Sequence, residues 1–116
     1  MTTHFHVLTK AEKFVLNLMQ HTPNIPKYYR QTFAYKLDEC GVQLILKLTE
    51  ARYAISKDKQ ECLKDADLTV SKIRVLLRLS YELKCISIGL LEELSLQLNE
   101  IGKMLGGLKQ NDQEQS

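Results

Sequence analysis

Apolar residues recur along the chain at the three- and four-residue spacing of α-helices, in segments that short polar breaks separate. Only two prolines and five glycines occur, so long stretches contain no helix breaker. The pattern predicts an all-α fold, an up-down-up-down four-helix bundle with short connections. The predicted helices run from about Thr9 to His21, Lys27 to Ser56, Asp58 to Leu83 and Ser87 to the glycine pair at 106–107.

Residues typical of helix ends divide these segments. Asp58 is a candidate N-cap for the third helix, and Ser87 is one for the fourth. The pair Gly106-Gly107 predicts the end of the fourth helix, with a left-handed residue there that returns Leu108 to apolar surface. The predicted domain is residues 9–109, between a flexible N-terminus at 1–8 and a disordered polar tail at 110–116.

The second helix carries an apolar row from Phe33 to Ile55 and the third carries one from Leu63 to Ser80, and each has a further apolar row beside it. A helix of an isolated bundle needs one such row, so the additional rows predict self-association, with a ring-closing contact between two different faces. The alternative is that both helices lie centrally and bury all their apolar residues. Gly102 lies beside the last apolar row, where a missing Cβ would let a neighbouring helix or subunit approach. The predicted interface residues are Val42, Leu46, Tyr53, Leu68, Val75, Leu79 and Gly102.

No motif for catalysis, cofactor binding or metal binding occurs in the sequence. The three cysteines, Cys40, Cys62 and Cys85, match no zinc spacing, and buried reduced thiols are expected. There is no apolar run long enough to span a membrane, and the first ten residues do not resemble a signal peptide. We therefore expect a cytoplasmic protein that is not an enzyme, has no cofactor or metal, and does not bind membranes.

Basic residues gather at the start of the second helix and in the C-terminal half of the third. Such residues often form a solvated helix face with pairs such as Asp67 with Arg74 or Arg78 with Glu82. They could instead bind phosphates if the fold or an oligomer brings them together. The candidate nucleic-acid-binding residues are Lys27, Arg30, Lys36, Lys72, Arg74 and Arg78.

An ordered set of segments resembles one known family. "IPKYYRQTFAYKLDE" opens the second helix, "LTEARYA" closes it, "LRLSYELKCIS" joins the third helix to the fourth, and the chain then reads "LNEIGKMLGGLK". Over about residues 8–109 this resembles the Avd-like family, the accessory variability determinants of diversity-generating retroelements. The resemblance implies a non-enzymatic homopentameric barrel that binds a reverse transcriptase and its template RNA or cDNA in mutagenic retrohoming.

Two alternatives to this function are of different kinds. Related four-helix-bundle proteins are encoded in intervening sequences of ribosomal RNA genes and have no assigned role, and the neighbouring genes would separate the two branches. A small bundle enzyme would need inward-facing paired carboxylates or histidines, which the apolar rows do not contain. The family often has tryptophan after the glycine pair, where this chain has Leu108. Five copies would carry only about +10, five times the net charge of +2. We therefore expect either weak and salt-sensitive RNA binding or the polymerase as the main partner.

Overall fold

The computed structural model describes the backbone of residues 6–115 and the side chains of residues 6–109. Within residues 6–115 the chain forms four long α-helices and no strand, which confirms the all-α prediction. None of the helices in this range combines the length and apolar character that crossing a bilayer requires. The helices are α1 (His6–His21), α2 (Tyr35–Tyr53), α3 (Ser56–Glu82) and α4 (Ile88–Gln115).

Each helix packs on its neighbours in the chain, and α4 closes the bundle by packing on α1. The closing contact is antiparallel. Lys10, near the start of α1, pairs with Glu100 at 3.3 Å, and Asn17, further along α1, donates to the side chain of Gln97 at 2.8 Å. The arrangement is therefore the predicted four-helix bundle.

One apolar row from each helix forms the core. The row of α3 is buried at every predicted position, from Leu63 to Ser80, and the Ser80 hydroxyl donates to the Leu76 carbonyl at 2.7 Å. In the row of α2, Leu44 and Leu48 are buried as predicted. Ile55 was expected in the same row but is exposed, because α2 ends at Tyr53 and the chain leaves the bundle there.

The predicted second helix is not continuous from Lys27. A 3-10 turn at Lys27–Tyr29 is followed by a π-turn at Arg30–Ala34, and α2 begins only at Tyr35. Pro26 lacks a backbone donor, and the preceding Ile25 is buried and donates its N–H to the Thr22 carbonyl at 3.1 Å. This anchor sets the direction of the chain before the helix starts.

The two predicted N-caps have different outcomes. The Ser87 hydroxyl accepts the Leu90 N–H at 3.1 Å, and the Ser87 carbonyl accepts the Leu91 N–H at 3.0 Å, so this cap is confirmed. The cap at Asp58 is wrong. α3 begins at Ser56, whose φ of 53° turns the chain sharply out of α2, and Asp58 lies inside the first turn.

The predicted helix end at Gly106-Gly107 is also wrong. Neither glycine has a positive φ, and α4 continues through both to Gln115, into the predicted tail 110–116. Leu108 reaches the core from within this helix. At the other end, α1 begins at His6, inside the predicted flexible segment 1–8, because Val7 is fully buried and extends the apolar row. Residues 1–5 and 116 lie outside the described residues.

Candidate functional site

α2 carries an apolar row on the side opposite the core. Val42, Leu46 and Tyr53 are 44%, 48% and 77% exposed. Their spacing of four and seven residues aligns them along the outside of the helix. Large apolar side chains in one exposed row mark an interaction surface. The alternative in which both middle helices bury all their apolar residues is therefore wrong for the single chain.

α3 carries a second exposed row, made of Leu68, Val75, Leu79 and Leu83. It does not merge with the row of α2. The exposed polar residues Glu39, Gln43 and Glu50 lie on α2 between its apolar row and the side that faces α3. The chain thus presents two separate apolar rows on adjacent helices, which is the arrangement that a contact between different faces of two copies requires.

Gly102 has a close neighbour within its own chain. A Cβ added to Gly102 would lie 3.0 Å from Nη2 of Arg74, and the Arg74 guanidinium donates to Asn99 Oδ1 at 3.1 Å and to the Leu98 carbonyl at 3.4 Å. The missing side chain therefore admits an arginine from α3. The predicted role of Gly102 between subunits stays a prediction.

A polar cluster joins α2 to α3 at one end of the bundle. Lys47 pairs with Glu50 at 3.4 Å and with Asp65 at 3.6 Å, and the Cys62 thiol donates to Glu50 at 3.6 Å. The charge of Glu50 raises the pKa of Lys47. Burial, followed by the hydrogen bond and charge of Glu50, raises the pKa of Cys62. These contacts align α2 and α3 and leave the thiol protonated at neutral pH.

Two of the predicted basic residues, Lys36 and Lys72, lie close enough to Cys40 for their charges to act on its thiol. Burial raises the pKa of this thiol, and the charges of Lys72 and Lys36 oppose that effect. Lys36 also pairs with Glu39 at 3.4 Å. Lys36 of α2 and Lys72 of α3 therefore share one neighbourhood. Only Cys85 is buried as predicted, whereas Cys40 and Cys62 are half-buried.

Arg74 and Arg78 lie on the other side of α3, toward α4. The expected Asp67–Arg74 pair is wrong, because Asp67 binds Lys109 of α4 at 2.7 Å and Arg74 binds Asn99. Arg78, one turn further on, is exposed and has no hydrogen bond or ion pair within residues 6–109. Within one chain, these candidate phosphate-binding residues therefore lie in two places: Lys36 and Lys72 on the α2 side of α3, and Arg74 and Arg78 on its α4 side.

The segment before α2 places the remaining two bases, Lys27 and Arg30, next to exposed tyrosines. Tyr28 is 85% exposed, and its ring contacts Tyr29 edge-on at 4.9 Å. Arg30 and Tyr35 line a recess of about 360 Å³ together with Thr22, Pro23, Ala34 and Asp38.

Sequence reasoning did not find this recess, because a regular helix was expected across residues 27–35. The one signal for it was the clustering of tyrosines and bases in "KYYRQTFAYK". As for metal sites, the side chains that the structure describes include no group of three or more histidine, cysteine or carboxylate residues placed to hold an ion.

Comparison with known proteins places these features in a family. A family model described as bAvd-like matches residues 5–111, nearly the whole chain. This confirms the resemblance drawn from the helix-joining segments. No curated protein and no solved structure matches the chain.

Proposed function

Because the chain belongs to the bAvd-like family, we propose that it is the non-enzymatic accessory protein of a diversity-generating retroelement. In this role it binds the reverse transcriptase of the element and its template RNA or cDNA, in the cytoplasm, during mutagenic retrohoming. The family match over residues 5–111 carries the proposal.

The two exposed apolar rows support a ring-like homo-oligomer as the working form. A row on α2 of one copy that packs on the row of α3 of the next would bury both and leave each copy with the same two contacts. The number of copies, five, rests on the family resemblance. A pentamer of the 13.4 kDa chain would have a mass of about 67 kDa, five times the mass of one copy.

The charge of the chain makes the polymerase the stronger partner in this proposal. The net charge is only +2, so each copy neutralises few phosphates, and its affinity for RNA should be low and should fall with salt. Polymerase binding would place the lysine and arginine side chains of the oligomer next to the template RNA. Their high local concentration at the template would compensate for weak individual contacts.

Co-purification tests the proposal directly. The full chain is expressed with a tagged reverse transcriptase of a diversity-generating retroelement and with the template RNA of that element. We expect both partners to elute together and cDNA yield to fall when the accessory chain is omitted. Failure of the polymerase to retain the chain, together with unchanged cDNA yield, would overturn the accessory role. A gene located inside a ribosomal RNA operon would instead favour the intervening-sequence branch.

A further inference from the structure

The recess beside the π-turn combines three kinds of side chain: the basic side chain of Arg30, the exposed aromatic ring of Tyr35 and the carboxylate of Asp38. Its volume of about 360 Å³ lies at the lower end of the range for small-ligand sites, about 300–1,000 Å³. Arg30 has no ion pair or hydrogen bond from its side chain within the described residues 6–109. Residues 22–37 contain three basic residues and no acid, and Asp38 is the one acidic residue of the recess lining.

The π-turn brings Arg30 and Tyr35 to the same place. In an α-helix, residues five apart point about 140° away from each other. Here the Tyr35 N–H donates to the Arg30 carbonyl, and this five-residue hydrogen bond closes one wider turn that places both residues at the recess. Single π-turns of this kind are frequent at functional sites.

Asp38 supplies a directional acceptor on the wall of the recess. Its Oδ1 accepts the hydroxyl of the buried Thr22 at 2.8 Å, which fixes the carboxylate and leaves Oδ2 without a partner within residues 6–109. A carboxylate oxygen accepts hydrogen bonds and donates none. It would favour a ligand that presents an N–H group and disfavour one that presents carbonyl oxygens.

These three groups match the parts of one nucleotide. We propose that the recess binds an unstacked nucleotide of single-stranded nucleic acid, with Arg30 on the phosphate, Tyr35 stacked on the base and Asp38 accepting from an amino group of the base. Cytosine, adenine and guanine carry such an amino group, whereas uracil and thymine present carbonyl oxygens there. This inference rests on the nucleic-acid part of the proposed function and names the site and its preference.

Fluorescence anisotropy of labelled 12-nucleotide strands tests this with the full chain at low salt. The probes are oligo(C) and oligo(U) RNA, with oligo(dC) and oligo(dT) to compare the sugars. The variants are Arg30→Gln, Tyr35→Leu and Asp38→Asn. The matched controls are Lys13→Gln, which removes one exposed base on α1, and Tyr28→Leu, which removes an exposed ring that does not line the recess. Circular dichroism checks that each variant folds.

We expect the chain to bind oligo(C) at least about fivefold more tightly than oligo(U). Tyr35→Leu should weaken binding of both strands at least about fivefold, and Tyr28→Leu should not. Arg30→Gln should weaken binding more than Lys13→Gln. Asp38→Asn should remove the preference for oligo(C), because an amide offers a donor as well as an acceptor.

The outcomes separate this inference from the proposed function. If the recess variants bind the strands as tightly as their controls, the recess is not the nucleotide-binding site, although the chain still binds RNA elsewhere. A chain that retains the reverse transcriptase but binds none of the strands would overturn both the recess and the nucleic-acid role, and the polymerase role would stand. Variants that keep strand affinity but lose the polymerase would make the recess a protein-docking site. If free cytidine monophosphate displaces oligo(C) at equal nucleotide concentration, the recess binds free nucleotides, and the proposal that it binds a single strand is wrong.

Discussion

The guanidinium of Arg74 lies over Gly102, with its Nη2 atom 3.0 Å from the position that a Cβ would occupy there. The same Nη2 atom donates to Asn99 Oδ1 at 3.1 Å on α4. The glycine is therefore the point at which an α3 side chain crosses α4. A methyl group at residue 102 and the present position of the guanidinium compete for this space.

Gly102→Ala should consequently have an effect that depends on Arg74. In the parent chain the gain in helix propensity, up to about 1 kcal/mol, is offset by displacement of the guanidinium from Asn99. In an Arg74→Ala background the gain should appear in full. Urea unfolding of the four proteins as a double-mutant cycle measures the difference. Equal effects of Gly102→Ala in both backgrounds would contradict the contact.

The glycine pair offers a simpler test of the same helix. A Cβ at Gly106 or Gly107 would meet nothing within 4 Å, and neither residue has a positive φ. Gly106→Ala and Gly107→Ala should each stabilise the protein, by about 0.5–1 kcal/mol in the free energy of unfolding. Either substitution would be destabilising if the residue it replaces ended the helix in the left-handed conformation. Thermal unfolding followed by circular dichroism distinguishes these results.

The long apolar rows made the fold predictable, whereas contacts between separate elements limited the prediction of the site. The row from Leu63 to Ser80 and the Ser87 cap were found because helix period and capping chemistry are local properties of sequence. The π-turn at Arg30–Ala34 was missed because it depends on where the buried Ile25 anchors the chain. The contact between Arg74 and Asn99 was also missed, because i,i+4 rules consider one helix at a time and this pair joins two helices.

The Cys62 thiol should respond to the charge of Glu50. Burial raises the pKa of Cys62 most, and the Glu50 carboxylate raises it further by accepting the thiol hydrogen and repelling the thiolate. Glu50→Gln should therefore lower this pKa and move the half-maximal rate of disulfide-exchange labelling to lower pH. The measurement uses a Cys40→Ser, Cys85→Ser background. Glu61→Gln, which removes the exposed carboxylate beside Cys62, is the control and should leave the pH profile unchanged.

The raised cysteine pKa values also predict the pH dependence of stability. Burial raises the pKa of Cys40, Cys62 and Cys85 above the ordinary 9.0. Because the folded state holds these protons more tightly, the stabilisation is fully present below the unfolded pKa and is lost as pH rises through the folded values. The free energy of unfolding should fall above about pH 9, and a triple cysteine-to-serine variant should lose this part of the decline.

Arg78 and Arg74 should differ in their effect on RNA binding, although they are one turn apart. Arg78 has no partner within residues 6–109 and is free to contact phosphate, whereas Arg74 is engaged with Asn99. Arg78→Gln should weaken RNA binding and reduce the salt dependence by about one ion. Arg74→Gln should mainly lower the stability of the α3–α4 contact. A low-salt filter-binding titration with matched unfolding curves separates the two, and equal losses of RNA affinity would contradict the assignment.

Substitutions in the exposed apolar rows test whether they join copies of the chain. Leu46→Glu on α2 or Val75→Glu on α3 would place a charge in the contact, and burial of an unpaired carboxylate there is strongly unfavourable. Both positions are about half exposed in the single chain, so the bundle itself should remain folded. Sedimentation velocity should show the native mass falling from about 67 kDa, five copies, toward the 13.4 kDa of one.

Leu96→Glu on α4 is the control for these substitutions. This leucine is 68% exposed but lies outside both rows, so the oligomer should stay intact. A parent chain that sediments as a monomer at micromolar concentration would contradict the ring, since its two apolar rows would then face water without a partner.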